Sequence, residues 1–144
     1  MLKTTIVVER RKVQVGDRQL YATTYNGAYM PPTLRVRPGD RIDLTMINRT
    51  DKYTNLHTHG LMVSPRAPAD DIFISIKYGQ SYHYAYRLPR DHPTGTFWYH
   101  SHSPPVSSAL SASMSSRRRQ FARVPESWSG DVGRRRCGPL SRSF

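Results

Sequence analysis

The chain has 144 residues, which allows one domain with a tail. Hydrophobic residues make up 37% of it, and no apolar run is long enough to cross a bilayer, so a membrane-spanning helix is excluded. A net charge of +12 points to an anionic partner unless the excess is confined to one segment, and here it is concentrated in one.

Taken in chain order, residues 1–102 read as successive strands. The opening stretch, MLKTTIVVERRKVQV, lacks the apolar region and small-residue cleavage site of a secretory signal, so as written the chain reads as cytoplasmic. Thr4 to Val15 is rich in β-branched residues, Val15-Gly16-Asp17-Arg18 offers a turn, and Gln19 to Thr24 continues as a second strand. Leu34 and Val36 alternate with Arg35 and Arg37 until Pro38-Gly39-Asp40 breaks the run. Ile42, Leu44 and Met46 alternate with Arg41, Asp43 and Thr45; Ile72, Ile74 and Ile76 repeat the period, as do Tyr82, Tyr84 and Tyr86. A period of two buries one face and wets the other. Short strands between Gly, Pro and Asp turns predict an all-β Greek-key sandwich or barrel.

After His102 the texture changes. Residues 103–144 contain eleven Ser and eight Arg against two acids, net +6, whereas residues 1–102 hold 14 Lys+Arg against 8 acids, also net +6 over more than twice the length. Phe121, Trp128 and Leu140 are among its few apolar anchors, too few to offset the entropy of ordering, so 103–144 is expected to be a disordered Ser/Arg-rich tail. Its bias toward residues with GC-rich codons suggests a reading frame lost just after His102. Genomic sequence beyond that codon, read in all three frames, decides this. The triplets Arg117-Arg118-Arg119 and Arg134-Arg135-Arg136 invite a nucleic-acid reading, but Phe121 and Trp128 alone lie near them for stacking, and no nucleic-acid fold accompanies them. That reading ranks last.

Two motifs carry chemistry: Asn55-Leu56-His57-Thr58-His59-Gly60, and Gly95-Thr96-Phe97-Trp98-Tyr99-His100-Ser101-His102. Residues i and i+2 of a strand share a face, so each pair aims two imidazoles at a common point. Neutral imidazole suits copper, zinc, iron and nickel, with Cu²⁺ at the top of the affinity order. One His-x-His alone is a chance pattern on a strand; two, one followed at once by Gly60, are harder to dismiss. Gly60 is expected to admit a close approach of backbone or of a second metal. His83, among alternating tyrosines, reads as a surface residue, and His92 has no such companion.

These motifs, with the approach Pro32-Thr33-Leu34-Arg35-Val36-Arg37-Pro38-Gly39-Asp40, resemble the amino-terminal copper motifs of the multicopper oxidases, the family that includes laccases. The resemblance covers roughly residues 4–102. It implies an amino-terminal plastocyanin-like domain (multicopper oxidase type 3) over 1–102, an incomplete cupredoxin-like fold, and copper as cofactor. It further implies that His57 ligates a type 2 copper and His59, His100 and His102 a type 3 pair, together half of a trinuclear site. An acidic residue about a dozen positions past the first pair relays protons in the family; Asp70 matches it best, Asp71 next, and a solvated turn after Pro65 and Pro68 explains both equally well. The partners implied are dioxygen and a phenolic or metal-ion reductant, and family members are often periplasmic or secreted.

The departures bound what the chain does alone. The family's His-Cys-His triplet, which links the cluster to a type 1 copper, is missing, and Cys137 has no imidazole near it in sequence. The Gly-rich closing strand expected after the second pair is missing too. The expectation is therefore a copper-binding fragment of a multicopper oxidase that cannot build the whole catalytic centre. The alternative is a non-enzymatic copper-binding module completed by a second chain carrying the missing ligands.

Overall fold

A computed structural model describes residues 1–103 and, as backbone only, the strand Ala112–Ser116. Eight strands follow in order: β1 Leu2–Val15, β2 Arg18–Tyr25, β3 Leu34–Val36, β4 Arg41–Asn48, β5 His57–His59, β6 Ser81–Arg87, β7 Gly95–His100 and β8 Ala112–Ser116. They form two four-stranded sheets, β2-β1-β4-β6 and β3-β8-β7-β5. Most neighbours run antiparallel; β1 with β4 and β3 with β8 run parallel. No helix occurs among the described residues.

The alternating pattern explains how the sheets face each other. Ile6 and Val8 of β1, Ile42, Leu44 and Met46 of β4, and Tyr84 and Tyr86 of β6 point inward and meet Leu34, Val36 and Tyr99 of the second sheet in one core. On β6 the tyrosines lie opposite the apolar residues of β4, Tyr86 beside Ile42 and Tyr84 beside Leu44, while His83, one residue before Tyr84, is exposed. The sheets also meet through Tyr25 and Tyr99, whose rings stack with centroids 5.8 Å apart; the Tyr99 hydroxyl donates to the Pro32 carbonyl at 2.8 Å.

Two expectations change here. Ile72, Ile74 and Ile76 do not form a strand. Asp71 turns the chain, its Oδ1 accepting the Phe73 N–H at 2.9 Å and its carbonyl the Ile74 N–H at 3.3 Å, so that only Ile76 reaches an extended partner, Thr54. The tail also contributes: Ala112–Ser116 pairs with β3 on one side and β7 on the other. The gap between those strands calls for backbone donors and acceptors, which any non-proline segment supplies whatever its apolar content. The expectation of disorder otherwise falls on residues 104–111 and 117–144, which, with Cys137, lie outside the described residues.

One hydrogen bond ties the core directly to the residue before β5. The Tyr84 hydroxyl, fully buried, accepts the Leu56 N–H at 2.9 Å one residue before His57. Burial pushes the pKa of Tyr84 up, so the hydroxyl stays neutral. Replacing Tyr84 with Phe leaves the buried Leu56 N–H unpaired and is expected to destabilise the chain by about 1–3 kcal/mol, measured by denaturant unfolding. An unchanged midpoint would show that Leu56 finds another acceptor.

Candidate metal centre

The short strand β5 ends a path fixed by two buried amides. Asn48, at the end of β4, donates through Nδ2 to the carbonyls of Lys52 (2.6 Å) and Ile76 (2.8 Å), while its Oδ1 accepts the N–H and hydroxyl of Thr50, both at 2.8 Å. That arrangement satisfies the side chain and delivers Thr54 to its bridge with Ile76. Asn55 follows, also fully buried.

From there β5 pairs with β7 so that His57 lies opposite His100, Thr58 opposite Tyr99 and His59 opposite Trp98. Opposed residues share a sheet face, so this register sets His57, His59, Trp98 and His100 together while Thr58 and Tyr99 turn into the core. Ligand atoms of His57, His59 and His100 all lie within 4.8 Å of one another. His57 is the hub: its ring centroid is 5.5 Å from His59, 5.3 Å from His100 and 5.5 Å from His102, each ring steeply tilted to it. The four predicted histidines thus converge, His102 standing slightly outside the tight trio. Trp98 stacks on His59 at 4.6 Å and on His100 at 4.1 Å, bracing two of the rings from below.

The protonation pattern follows from the partners. His100 Nδ1 lies 2.9 Å from the Ser101 carbonyl, which only accepts, so Nδ1 carries the proton and Nε2 keeps its lone pair. That Nε2 is buried and has no hydrogen-bond partner, the state in which an imidazole can ligate a metal. His57 Nδ1 sits 3.0 Å from Asp70 Oδ2, close but off the line of a straight hydrogen bond, and the same carboxylate accepts the Thr58 N–H through Oδ1 at 2.8 Å. Asp70 therefore faces His57, and Asp71 instead caps its own turn. The loop that carries Asp70 is pinned to β6, where Ala85 N–H donates to the Pro68 carbonyl at 2.9 Å.

The other two histidines stay apart from the trio. His83 is exposed, with Nε2 3.9 Å from Asp43. His92 is buried; its Nε2 accepts the Met62 N–H at 3.1 Å and its ring packs edge-on against Phe97. Gly60 has a different reason from the one expected: its φ of +84° and the Phe97 ring, 3.3 Å from where a Cβ would sit, demand glycine for the turn after β5.

A three-imidazole set with a carboxylate behind one ring fits a borderline metal such as copper. A sequence model of the family described as "Multicopper oxidase" matches residues 7–112, ending ten residues past His102. The chain belongs to the multicopper oxidase family, and its fold is the cupredoxin-like sandwich of that family. It is 35% identical over 95 residues to copper resistance protein A of Pseudomonas syringae pv. tomato, a match that covers 63% of this chain and 15% of that protein. It is 35% identical over 99 residues to laccase-13 of Arabidopsis thaliana, covering 67% and 17%. The multicopper oxidase mco of Staphylococcus haemolyticus matches at 31% over 100 residues, covering 65% and 22%. The chain thus spans between 15% and 22% of these curated relatives' length. Among solved structures, a multicopper oxidase from Campylobacter jejuni described as a metallo-oxidase superposes with a TM-score of 0.72 at 23% identity, over 82% of this chain and 26% of that one.

Burial holds the pKa of His100 below its ordinary value of 6.5, the Ser101 carbonyl opposes this, and His57, His59 and His102 push it lower still. Between the folded and unfolded pKa values the unfolded chain binds more protons, so stability rises with pH through that window and falls as pH drops below the unfolded value. Acidifying the metal-free chain from about pH 8 to about pH 5, across the ordinary histidine range, is expected to lower its unfolding midpoint, and by less in a His100→Gln variant. Equal losses in both would place the effect on other groups.

Proposed function

We propose that the chain is the copper-binding amino-terminal domain of a multicopper oxidase, in which His57, His59, His100 and His102 supply half of a trinuclear site. That site serves dioxygen reduction coupled to one-electron oxidation of a phenolic or metal-ion reductant. The observation that carries the reading is the approach of the His57, His59 and His100 ligand atoms to within 4.8 Å. Copper held there supplies dioxygen binding and one-electron redox chemistry.

The chain's own residues do the rest. His100 presents an unshared, buried Nε2 because Ser101 holds the opposite proton. Following the family pattern, His57 serves the type 2 position and His59, His100 and His102 the type 3 pair. Asp70 polarises the His57 ring from behind and keeps a carboxylate next to the site, where it can accept and return protons. Trp98 keeps water from the flank of His59 and His100.

A second reading is a copper-binding module completed by a partner chain that brings the missing ligands. It is favoured by the exposure of this face: His59 is open and Trp98 is 39% exposed.

Copper(II) titration of the full chain tests the first reading. Changing His57 and His59 to Ala, or His100 and His102 to Ala, is expected to remove most of the tight binding in either case, with the quadruple change adding little. Losses that simply add would mean two separate weak chelates. No dioxygen consumption is expected with a phenolic reductant, and turnover abolished by His100→Ala would refute the half-site assignment.

A further inference from the structure

The β5–β7 ladder stops at His57 and His100, yet the second histidine pair runs on to His102. Two further steps in the same register set Asn55 opposite His102. There a side chain takes over from the backbone. Asn55 Oδ1 accepts the His102 N–H at 2.7 Å and lies 3.4 Å from the donating Ser101 hydroxyl, while Nδ2 donates to the Ile72 carbonyl at 2.7 Å. Two donors face the amide oxygen and a carbonyl faces its nitrogen, so its orientation is fixed. The residue is fully buried. One amide therefore ties together the approach to His57, the end of the strand carrying His100, and the loop that carries Asp70.

His102 depends on this anchor more than the other ligands do. His57, His59 and His100 sit within paired strands, whereas His102 lies beyond the end of β7 with an exposed ring. The ring nonetheless stands 5.5 Å from His57, the same as His59. A residue just past the end of a strand ladder, held by nothing else, would sample many orientations, and a ligand that does so contributes little to a metal site.

We propose that Asn55 is a positioning residue for the metal centre: it replaces the missing ladder bond and brings His102 into the ligand set built by His57, His59 and His100. The inference rests on the copper-site reading above. Its signature is coupling. If Asn55 acts by placing His102, losing either residue removes the same contribution, and the second loss adds nothing.

The test is a double-mutant cycle on the full chain, with copper(II) affinity read by competition against a chelator and folding followed by circular dichroism. Asn55→Ala is expected to weaken copper binding about 10- to 100-fold, the usual effect of removing a residue that orients a ligand, and by less than about 2-fold when His102→Ala is already present. Asn55→Asp keeps the acceptor for the His102 N–H and is expected to bind copper within a few-fold of the native chain. An equal loss from Asn55→Ala in both backgrounds, or no loss at all, overturns the proposal. So does failure of both Asn55 variants to fold, which would make the amide a determinant of the fold. If the native chain shows no copper binding that depends on His57 and His100, the copper-site reading fails first, and the two failures are told apart.

Discussion

The pairing of a three-residue strand, His57–His59, with the end of Gly95–His100 decides what the rest of the structure is for. Setting His57 opposite His100 aims two histidine pairs, some forty residues apart in sequence, at one point. A slip of one residue would turn Thr58 and Tyr99 outward and bury the imidazoles. So short a strand cannot hold its own register. It is held instead from outside, by the Tyr84 hydroxyl on Leu56 N–H, the Asp70 carboxylate on Thr58 N–H, and the Asn55 amide on His102 N–H. Each of these anchors reaches β5 or its partner strand from a different part of the chain.

That dependence ties site to core. Tyr84 belongs to the apolar face between the sheets, and Asp70 to a loop pinned on β6 through the Pro68 carbonyl. The histidine face cannot assemble before the sandwich has closed, so the binding of a metal there would be coupled to folding. The electrostatics point the same way. Burial and three neighbouring imidazoles hold the pKa of His100 below its ordinary value, while the Asp70 carboxylate lies behind His57.

Much of this was legible in the sequence, for physical reasons. Period-two alternation gave β3, β4, β6 and the inward tyrosines, because burial of one sheet face leaves that trace in any chain, and β-branched content with a Gly-Asp turn gave β1 and β2. The His-x-His spacing and Asp70 were also readable, the latter through resemblance to a family. What the sequence concealed were long-range hydrogen bonds. Nothing local in Asn55 marks it as the partner of His102, since that relation exists only in the β5–β7 register. Ile72, Ile74 and Ile76 alternate like a strand, yet Asp71 turns them into a loop with one bridge. Ala112–Ser116 carries little apolar signal and pairs all the same, because the space between β3 and β7 asks only for backbone partners.

Strand register, held by those anchors, sets imidazoles of two separate motifs around one point. X-ray absorption at the copper edge of the full chain, loaded with less than one equivalent of copper(II), addresses it most directly. A first shell with scattering from at least the three imidazoles of His57, His59 and His100 on one ion is expected. A shell with one or two imidazoles completed by oxygen donors, unchanged when His57 and His59 are replaced, would contradict it.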